Sequence, residues 1–337
     1  MTKVSKNGLY VVIALAAFLA TSGLIHSLVP PIIPKGVAAK LKFFAGHKDE
    51  FDTLLVGTSS IYYSVSPEIF DRITRENGLP TRTFNFGIDA MHPPENFYVL
   101  DQILKTQPRN LKWVFLETAN IETKLHKVLG TERAVYWHDW PRTALTLRKA
   151  LNPRGDANWV IQISRLWLAR RDLATHLTLF AQRFCNVGRA TEILFPQNRE
   201  VDADLELGPR RDGYRLAGNA MTPEDAASFQ KRLDEEIAHA RPKPLDPAAD
   251  GVYRSYATRL REIGAVPLFV VPPLIFQSPV SFGQSSPGPL FPFNDARTYP
   301  MLFDPKVRID DAHLTREGAE EFTRLLAQEF VRRARQP

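Results

Sequence analysis

The sequence predicts an α/β domain built on a mostly parallel sheet, preceded by a membrane-spanning helix and interrupted by a helical insertion. Three observations carry that prediction. Short apolar runs that break at glycine alternate with helix-start signals. An uncharged apolar stretch opens the chain, and the alternation lapses between about residues 126 and 250 before resuming. With 337 residues, 44% of them hydrophobic, the chain is long enough for one large domain with an insertion.

The first 34 residues come first. Lys3 and Lys6 precede an uncharged stretch from Asn7 to Pro34, whose apolar part runs from Leu9 to Val29. About 20 apolar residues suffice to cross a hydrocarbon core as a helix. Lysines before the run and none within it predict an N-in, single-pass anchor, with the rest of the chain outside the cytoplasmic membrane, in a periplasm or other extracytoplasmic space. A cleaved signal peptide is the competing reading, because Ala20-Thr21-Ser22 resembles a small-residue cleavage site; the apolar run continues past it, which favours the anchor. Pro30-Pro31 ends the segment, and residues 35–50 read as a basic linker.

The sheet domain is expected in two parts, residues 51–125 and 251–337. Thr53–Val56 reads as a buried strand ending at Gly57. Ser66-Pro67-Glu68 starts a helix, with Ser66 as N-cap, Pro67 at the first helical position and Glu68 complementing the dipole; Asn77-Gly78 closes it. Thr81–Phe86 is a second strand ending at Gly87, and Pro93-Pro94-Glu95 opens a helix carrying Phe97, Leu100 and Leu104. Trp113–Leu116 is a third strand running into Glu117. Residues 126–250 read as a mainly helical cap or a partner-docking surface, with an amphipathic helix over Trp159–Phe184 and a helix start at Thr222-Pro223-Glu224. A helix from Gly251 to Glu262, a strand at Pro267–Val271, a Pro/Ser/Gly-rich loop from Gln277 to Asn294 and a final helix from about Thr315 complete the pattern. Alternating βα units place loops at the carboxyl ends of parallel strands, where sites form.

Two motifs at opposite ends of the chain carry the chemistry. Gly57-Thr58-Ser59-Ser60 follows the first strand, and Asp310-Asp311-Ala312-His313 precedes the last helix. A free alcohol is a poor nucleophile at neutral pH and needs a base. His313 can take the Ser59 proton, and Asp310 can hold the imidazole in the correct tautomer and stabilise its charged form. The negative charge that develops on an attacked carbonyl needs fixed donors; the Ser59 and Gly87 amides and the Asn120 side chain are the candidates.

Taken in order, Gly57-Thr58-Ser59, Asn85-Phe86-Gly87, Asn120 and Asp310-x-x-His313 resemble the four blocks of the SGNH/GDSL hydrolase superfamily. That resemblance implies a flavodoxin-like three-layer α/β/α sandwich, Ser59 as nucleophile with His313 and Asp310, and an oxyanion hole from Ser59, Gly87 and Asn120. Thr58 stands where the family has Asp, as in its membrane-anchored acyltransferase-like members, and Thr118-Ala119-Asn120-Ile121 departs from the usual Gly-x-Asn-Asp. The resemblance to extracytoplasmic proteins of alginate acetylation and teichoic-acid D-alanylation implies O-acetylation of a cell-surface or exported polysaccharide. It also implies two partners, an acyl donor delivered through a membrane-bound O-acyltransferase and a glycan acceptor. A carbohydrate esterase or deacetylase of the same fold, and a non-catalytic assembly partner of such an acyltransferase, are the alternatives.

Other clusters are secondary. Tyr136-Trp137-His138-Asp139-Trp140 could stack on sugar rings, with Trp137 and His138 as cleft residues, although such clusters more often pack a cap. His92 follows the Gly87 block and is a further cleft candidate. Glu117 could sit beneath the site. No spacing suits a metal, no phosphate loop occurs, and no cofactor is expected. The net charge of +6 comes without a dense basic run, so no nucleic-acid partner is expected. Cys185 is the only cysteine, which excludes an intrachain disulfide.

Overall fold

The computed structural model describes residues 3–29, 33–121, 123, 125, 131–152, 158–186, 203–216, 218–239, 241–275, 280–283 and 285–335. Pro30-Pro31 and the start of the expected insertion at residues 126–130 lie outside them. The chain divides into two compact units, residues 1–35 with 123–200, and residues 36–122 with 201–337.

The larger unit is α/β. Its five-stranded sheet comprises β1 (Thr53–Gly57), β2 (Thr83–Gly87), β3 (Trp113–Glu117), β5 (Val266–Val271) and β7 (Leu290–Pro292), in the order β2-β1-β3-β5-β7. Every pairing in it is parallel. Two-residue strands β4 (Lys243–Pro244) and β6 (Val280–Ser281) pair separately. β1 and β2 are buried at every position; β1 accordingly carries the continuous apolar run Leu54-Leu55-Val56, whereas β2 alternates Thr83 and Asn85 with Phe84 and Phe86 and buries the polar pair as well. Gly57 is level with Gly87 in the register, so the loops that follow them leave the same edge.

The helices obey their local signals. The short α3 (Ser59–Tyr62) is capped by Thr58, whose hydroxyl accepts the Ser60 amide. In α4 (Pro67–Glu76) the Ser66 hydroxyl caps the Ile69 amide behind Pro67 at the first turn. α5 (Glu95–Lys105) begins after Pro94. The C-terminal helix of the unit, Arg316–Ala334, is capped by Thr315, and buries Phe322, Leu326 and Phe330 against Phe70, Phe115 and Phe291. Each such side chain contributes roughly 1.5–3 kcal/mol when fully buried.

Three expectations change. Residues 35–50 are not a linker: α2 (Lys35–His47) buries Val37, Lys40 and Phe44, and Phe44 meets Phe51, Phe84 and Phe86. The insertion ends near residue 200 rather than 250, because Phe229 and Leu233 belong to the core of the sheet unit and Gly213 lies against the Asn85 backbone. The loop expected over Gln277–Asn294 contains β7, the fifth strand.

The smaller unit begins with α1 (Lys3–Leu28), whose stretch Lys6–Leu28 is long and apolar enough to cross a membrane, with a mean hydropathy of 2.2. It continues with α6 (Glu132–Val135), α7 (Trp140–Leu151) and α8 (Trp159–Phe184). Among the described residues of the sheet unit, α9 (Ala203–Leu207), α10 (Pro223–His239), α11 (Pro247–Glu262) and α12, the helix at Arg316–Ala334, follow.

Candidate active site

β1 ends at Gly57, where a side chain would crowd its neighbours: a Cβ would lie 2.4 Å from Glu117 Oε2 and 2.4 Å from Ile61 Cγ1. The turn that follows delivers Ser59 at the first position of α3. From the other end of the chain, the loop before α12 delivers His313. Its Nε2 lies 2.8 Å from Ser59 Oγ, and its Nδ1 lies 2.8 and 3.0 Å from the two Asp310 carboxylate oxygens. Serine, histidine and aspartate therefore form one hydrogen-bonded chain.

The charge state fixes its direction. Partial burial alone would raise the Asp310 pKa, but hydrogen bonds from the His313 ring and from the Ala312 and His313 amides outweigh it and push it down to about 2. An ionised carboxylate only accepts, so Nδ1 carries the ring proton and Nε2 is left to accept from the Ser59 hydroxyl. Asp310 also accepts the Ala312 and His313 amides at 2.7 and 2.8 Å, which locks the loop that aims the ring. The Tyr63 ring stands edge-on to the imidazole at 5.6 Å. Ser60, the other member of the serine pair, turns its hydroxyl to the Ala312 carbonyl at 3.4 Å.

Beneath Ser59 sits Glu117, 3% exposed. It accepts the Thr58 amide at 2.6 Å and the Thr58 hydroxyl at 3.0 Å. Burial pushes its pKa up to about 7, against the Thr58 hydrogen bonds, which favour ionisation. The carboxylate thus holds the turn from which the nucleophile projects. The Tyr253 hydroxyl donates to the Glu117 carbonyl at 2.9 Å and accepts the Ala119 amide at 3.0 Å, pinning the segment that leads to Asn120.

The three donor candidates fare differently. The Ser59 amide, at the first position of a helix, has no intrahelical acceptor. Asn120 is exposed, and its Oδ1 accepts the Asp246 amide at 2.8 Å, so the opposite end of the side chain, Nδ2, is the donor end. Gly87 departs from expectation as a donor: its amide is buried and donates to Asn85 Oδ1 at 2.7 Å. Glycine is needed there for a different reason, since a Cβ would fall 2.3 Å from the Tyr62 amide nitrogen and 2.5 Å from Tyr62 Cα. The Asn85 side chain also donates to the Ile61 and Val65 carbonyls at 2.9 and 2.8 Å, fastening β2 to the helix that carries Ser59.

The cleft candidates separate. His92 is exposed in the sheet unit between β2 and α5. Trp137 and His138 belong to the smaller unit and are buried, 2% and 0% exposed. Trp137 stacks on His138 at 3.8 Å, and His138 Nε2 lies 2.8 Å from His176 Nδ1. They pack that unit and offer no face to a sugar, so their assignment to a cleft is corrected. Among the described residues no cluster of His, Cys, Asp and Glu suits a metal ion.

Two buried cations beside the site gave no signal in the sequence. Lys40 donates to the carbonyls of Asn85, Gly87 and Gly213 at 3.2, 2.6 and 2.7 Å, with its ammonium 3.7 Å from the Tyr62 ring centroid. Burial pulls its pKa well below the usual lysine range, opposed by Glu206 and Asp212; three carbonyl acceptors nevertheless match the three N–H donors of the charged form. Arg308, 0% exposed, donates to the carbonyls of Pro273, Leu302, Asp310 and Asp311. Burial pulls it down to about 10, opposed by the nearby Asp310 and Asp311 carboxylates.

Comparison with protein-family models, curated proteins and solved structures finds no match to this chain.

Proposed function

We propose that this chain is an SGNH-type serine acyl-transfer enzyme, anchored by α1, that moves an acyl group, most readily acetyl, onto a hydroxyl of a cell-surface or exported polysaccharide. The observation that carries the reading is the Ser59–His313–Asp310 chain, closed at hydrogen-bond distance by residues 254 positions apart. The sheet order supports the finer fold assignment: counting only the five main strands along the chain, it is the 2-1-3-4-5 order of flavodoxin-like doubly wound sheets.

The chemistry follows in two halves. Ser59 Oγ attacks the donor's ester carbonyl while its proton passes to His313 Nε2, and the imidazolium is stabilised by Asp310. The oxyanion is met by the Ser59 amide and Asn120 Nδ2. Collapse expels the donor alcohol, which takes the proton from Nε2 and leaves an acyl-Ser59 ester. An incoming hydroxyl then gives its proton to Nε2 and attacks the ester, and Ser59 departs with that proton. A sugar hydroxyl as acceptor makes the protein a transferase, and water makes it an esterase. The anchor supports transfer, since a tethered enzyme can receive the acyl group at the membrane face from a membrane-bound O-acyltransferase.

The test uses the full chain in detergent, an activated acetyl ester and polysaccharide acceptors. Acetylated glycan, lost in Ser59→Ala and His313→Ala variants that retain the wild-type circular dichroism, is the expected result. Acetate release unaffected by acceptor reassigns the protein as an esterase, and unchanged rates in either variant remove the serine mechanism.

A further inference from the structure

The smaller unit carries an apolar helix face that stands exposed among the described residues. On α8 the residues Ile163, Leu166, Trp167 and Leu177 are 54%, 45%, 67% and 47% exposed, and their spacing puts them on one side of the helix. Ala169, His176 and Leu179 on the other side are buried. A helix of an ordinary water-soluble unit would carry polar residues on its outer side rather than a second row of large apolar ones. Arg170 lies within the exposed side, its guanidinium 3.2 Å from the Trp167 ring centroid, and Arg171 beside it is also exposed.

The position of this helix points to its occupant. At its C-terminal end α8 meets α1: the Asn186 side-chain amide donates to the Ser22 carbonyl at 3.2 Å, and the Phe184 and His26 rings lie 6.2 Å apart. Ser22 precedes the last residue of α1, Leu28, by six positions, about 9 Å along the axis. The end of α8 is therefore held at a depth of about 5–10 Å below the end of a membrane-crossing stretch, where interfacial helices lie. An aromatic row, Trp140–Phe180–Phe184–His26, continues from α7 across α8 to α1, and Trp140 is itself 59% exposed. Tryptophan and arginine together are the side chains of the membrane–water interface: an apolar body below, a hydrogen-bonding or charged end among the headgroups.

We infer that α8 is an interfacial helix that lays Ile163, Leu166, Trp167 and Leu177 into the lipid beside α1, with Arg170 and Arg171 at the phosphate level. The helix does not itself cross the bilayer, since Arg170, Arg171, Asp172 and Arg183 interrupt it. The unit thereby rests on the membrane along a surface rather than hanging from a single strand of chain. The inference requires α1 to span the bilayer but is independent of the acyl-transfer reading.

The test places one fluorophore at a time on the full chain. Cys185 is the only cysteine, so a Cys185→Ala background accepts Leu166→Cys or Leu177→Cys labelled with an environment-sensitive dye, with Lys231→Cys on the sheet unit as control. The protein is reconstituted into phosphatidylcholine–phosphatidylglycerol vesicles. A phospholipid with a nitroxide near the top of its acyl chain is expected to remove most of the emission at 166 and 177 and little at 231, while aqueous iodide does the opposite. Adding Trp167→Asp should weaken lipid quenching at 166 several-fold without releasing the protein. Iodide quenching at 166 and 177 overturns the inference in favour of a solvent-facing helix, and protection from both quenchers overturns it in favour of a protein partner. Release of the unmodified protein by alkaline carbonate removes the anchor and the inference together.

Discussion

The guanidinium of Arg308 donates to the backbone carbonyl of Asp310 at 3.1 Å, so a fully buried arginine, rather than the sheet, fixes the loop that aims His313. The same group reaches Asp311 on that loop, Leu302, and Pro273 after β5. Arg308→Lys keeps the charge but cannot fork to four carbonyls. It is expected to cost about 1–3 kcal/mol for each carbonyl left without a donor, measured by chemical denaturation. Turnover should fall about 10–100-fold as the imidazole loses its alignment, with KM little changed.

The serine pair provides an internal control. Ser59 faces the imidazole and Ser60 faces a carbonyl. Ser59→Ala is expected to lower kcat by about 10⁴–10⁶-fold. Ser60→Ala should leave it within about three-fold, since a neutral hydrogen bond contributes only about 0.5–1.5 kcal/mol. Acyl-enzyme trapping by mass spectrometry should label residue 59 alone.

Glu117 gives a stability signature in pH. Its folded pKa is raised from 4.5 to about 7 by burial, so between those values the folded state holds a proton that the unfolded chain releases. Stability therefore falls as pH rises through that window, by about 3 kcal/mol in all. Glu117→Gln can still accept from the Thr58 amide and donate to its hydroxyl. Urea unfolding of that variant from pH 5 to pH 8 is expected to show this decline abolished.

Lys40 is the counterpart of Arg308 on the other side of the site. Lys40→Met preserves the bulk but leaves the carbonyls of Asn85, Gly87 and Gly213 without their ammonium. A loss of about 3 kcal/mol or more is expected from the unsatisfied acceptors. Thermal unfolding measures it, and Lys40→Arg should not rescue, because the longer planar group does not fit the three-carbonyl cradle around one nitrogen.

What could be read in advance was whatever the local sequence determines. The strand breaking at Gly57, the cap at Ser66, the start of the last helix near Thr315 and the Asp310-x-x-His313 turn depend on neighbours a few residues away, and each is present in the structure. What could not be read depends on distant partners. Lys40 in a basic stretch and Arg308 in a mixed-charge one look like solvated surface, and only the carbonyls that converge on them make burial tolerable. β7 escaped notice because Leu290–Pro292 is three residues long and ends in proline, acceptable only where one side of a strand is unpaired. The Gly87 amide read as an oxyanion donor, but it serves Asn85, and the glycine is needed for its close approach to Tyr62. Trp137 and His138 carried real aromatic chemistry whose use is internal packing.

Separation along the chain between Ser59 and His313 has a consequence for biosynthesis. A ribosome that has released α1 and the Gly57-Thr58-Ser59 turn must add 254 more residues before the imidazole exists. Until then the serine is an ordinary alcohol with no imidazole beside it. The Ser59–His313 hydrogen bond can therefore close only after every strand of the sheet has been made, the last of them ending at Pro292.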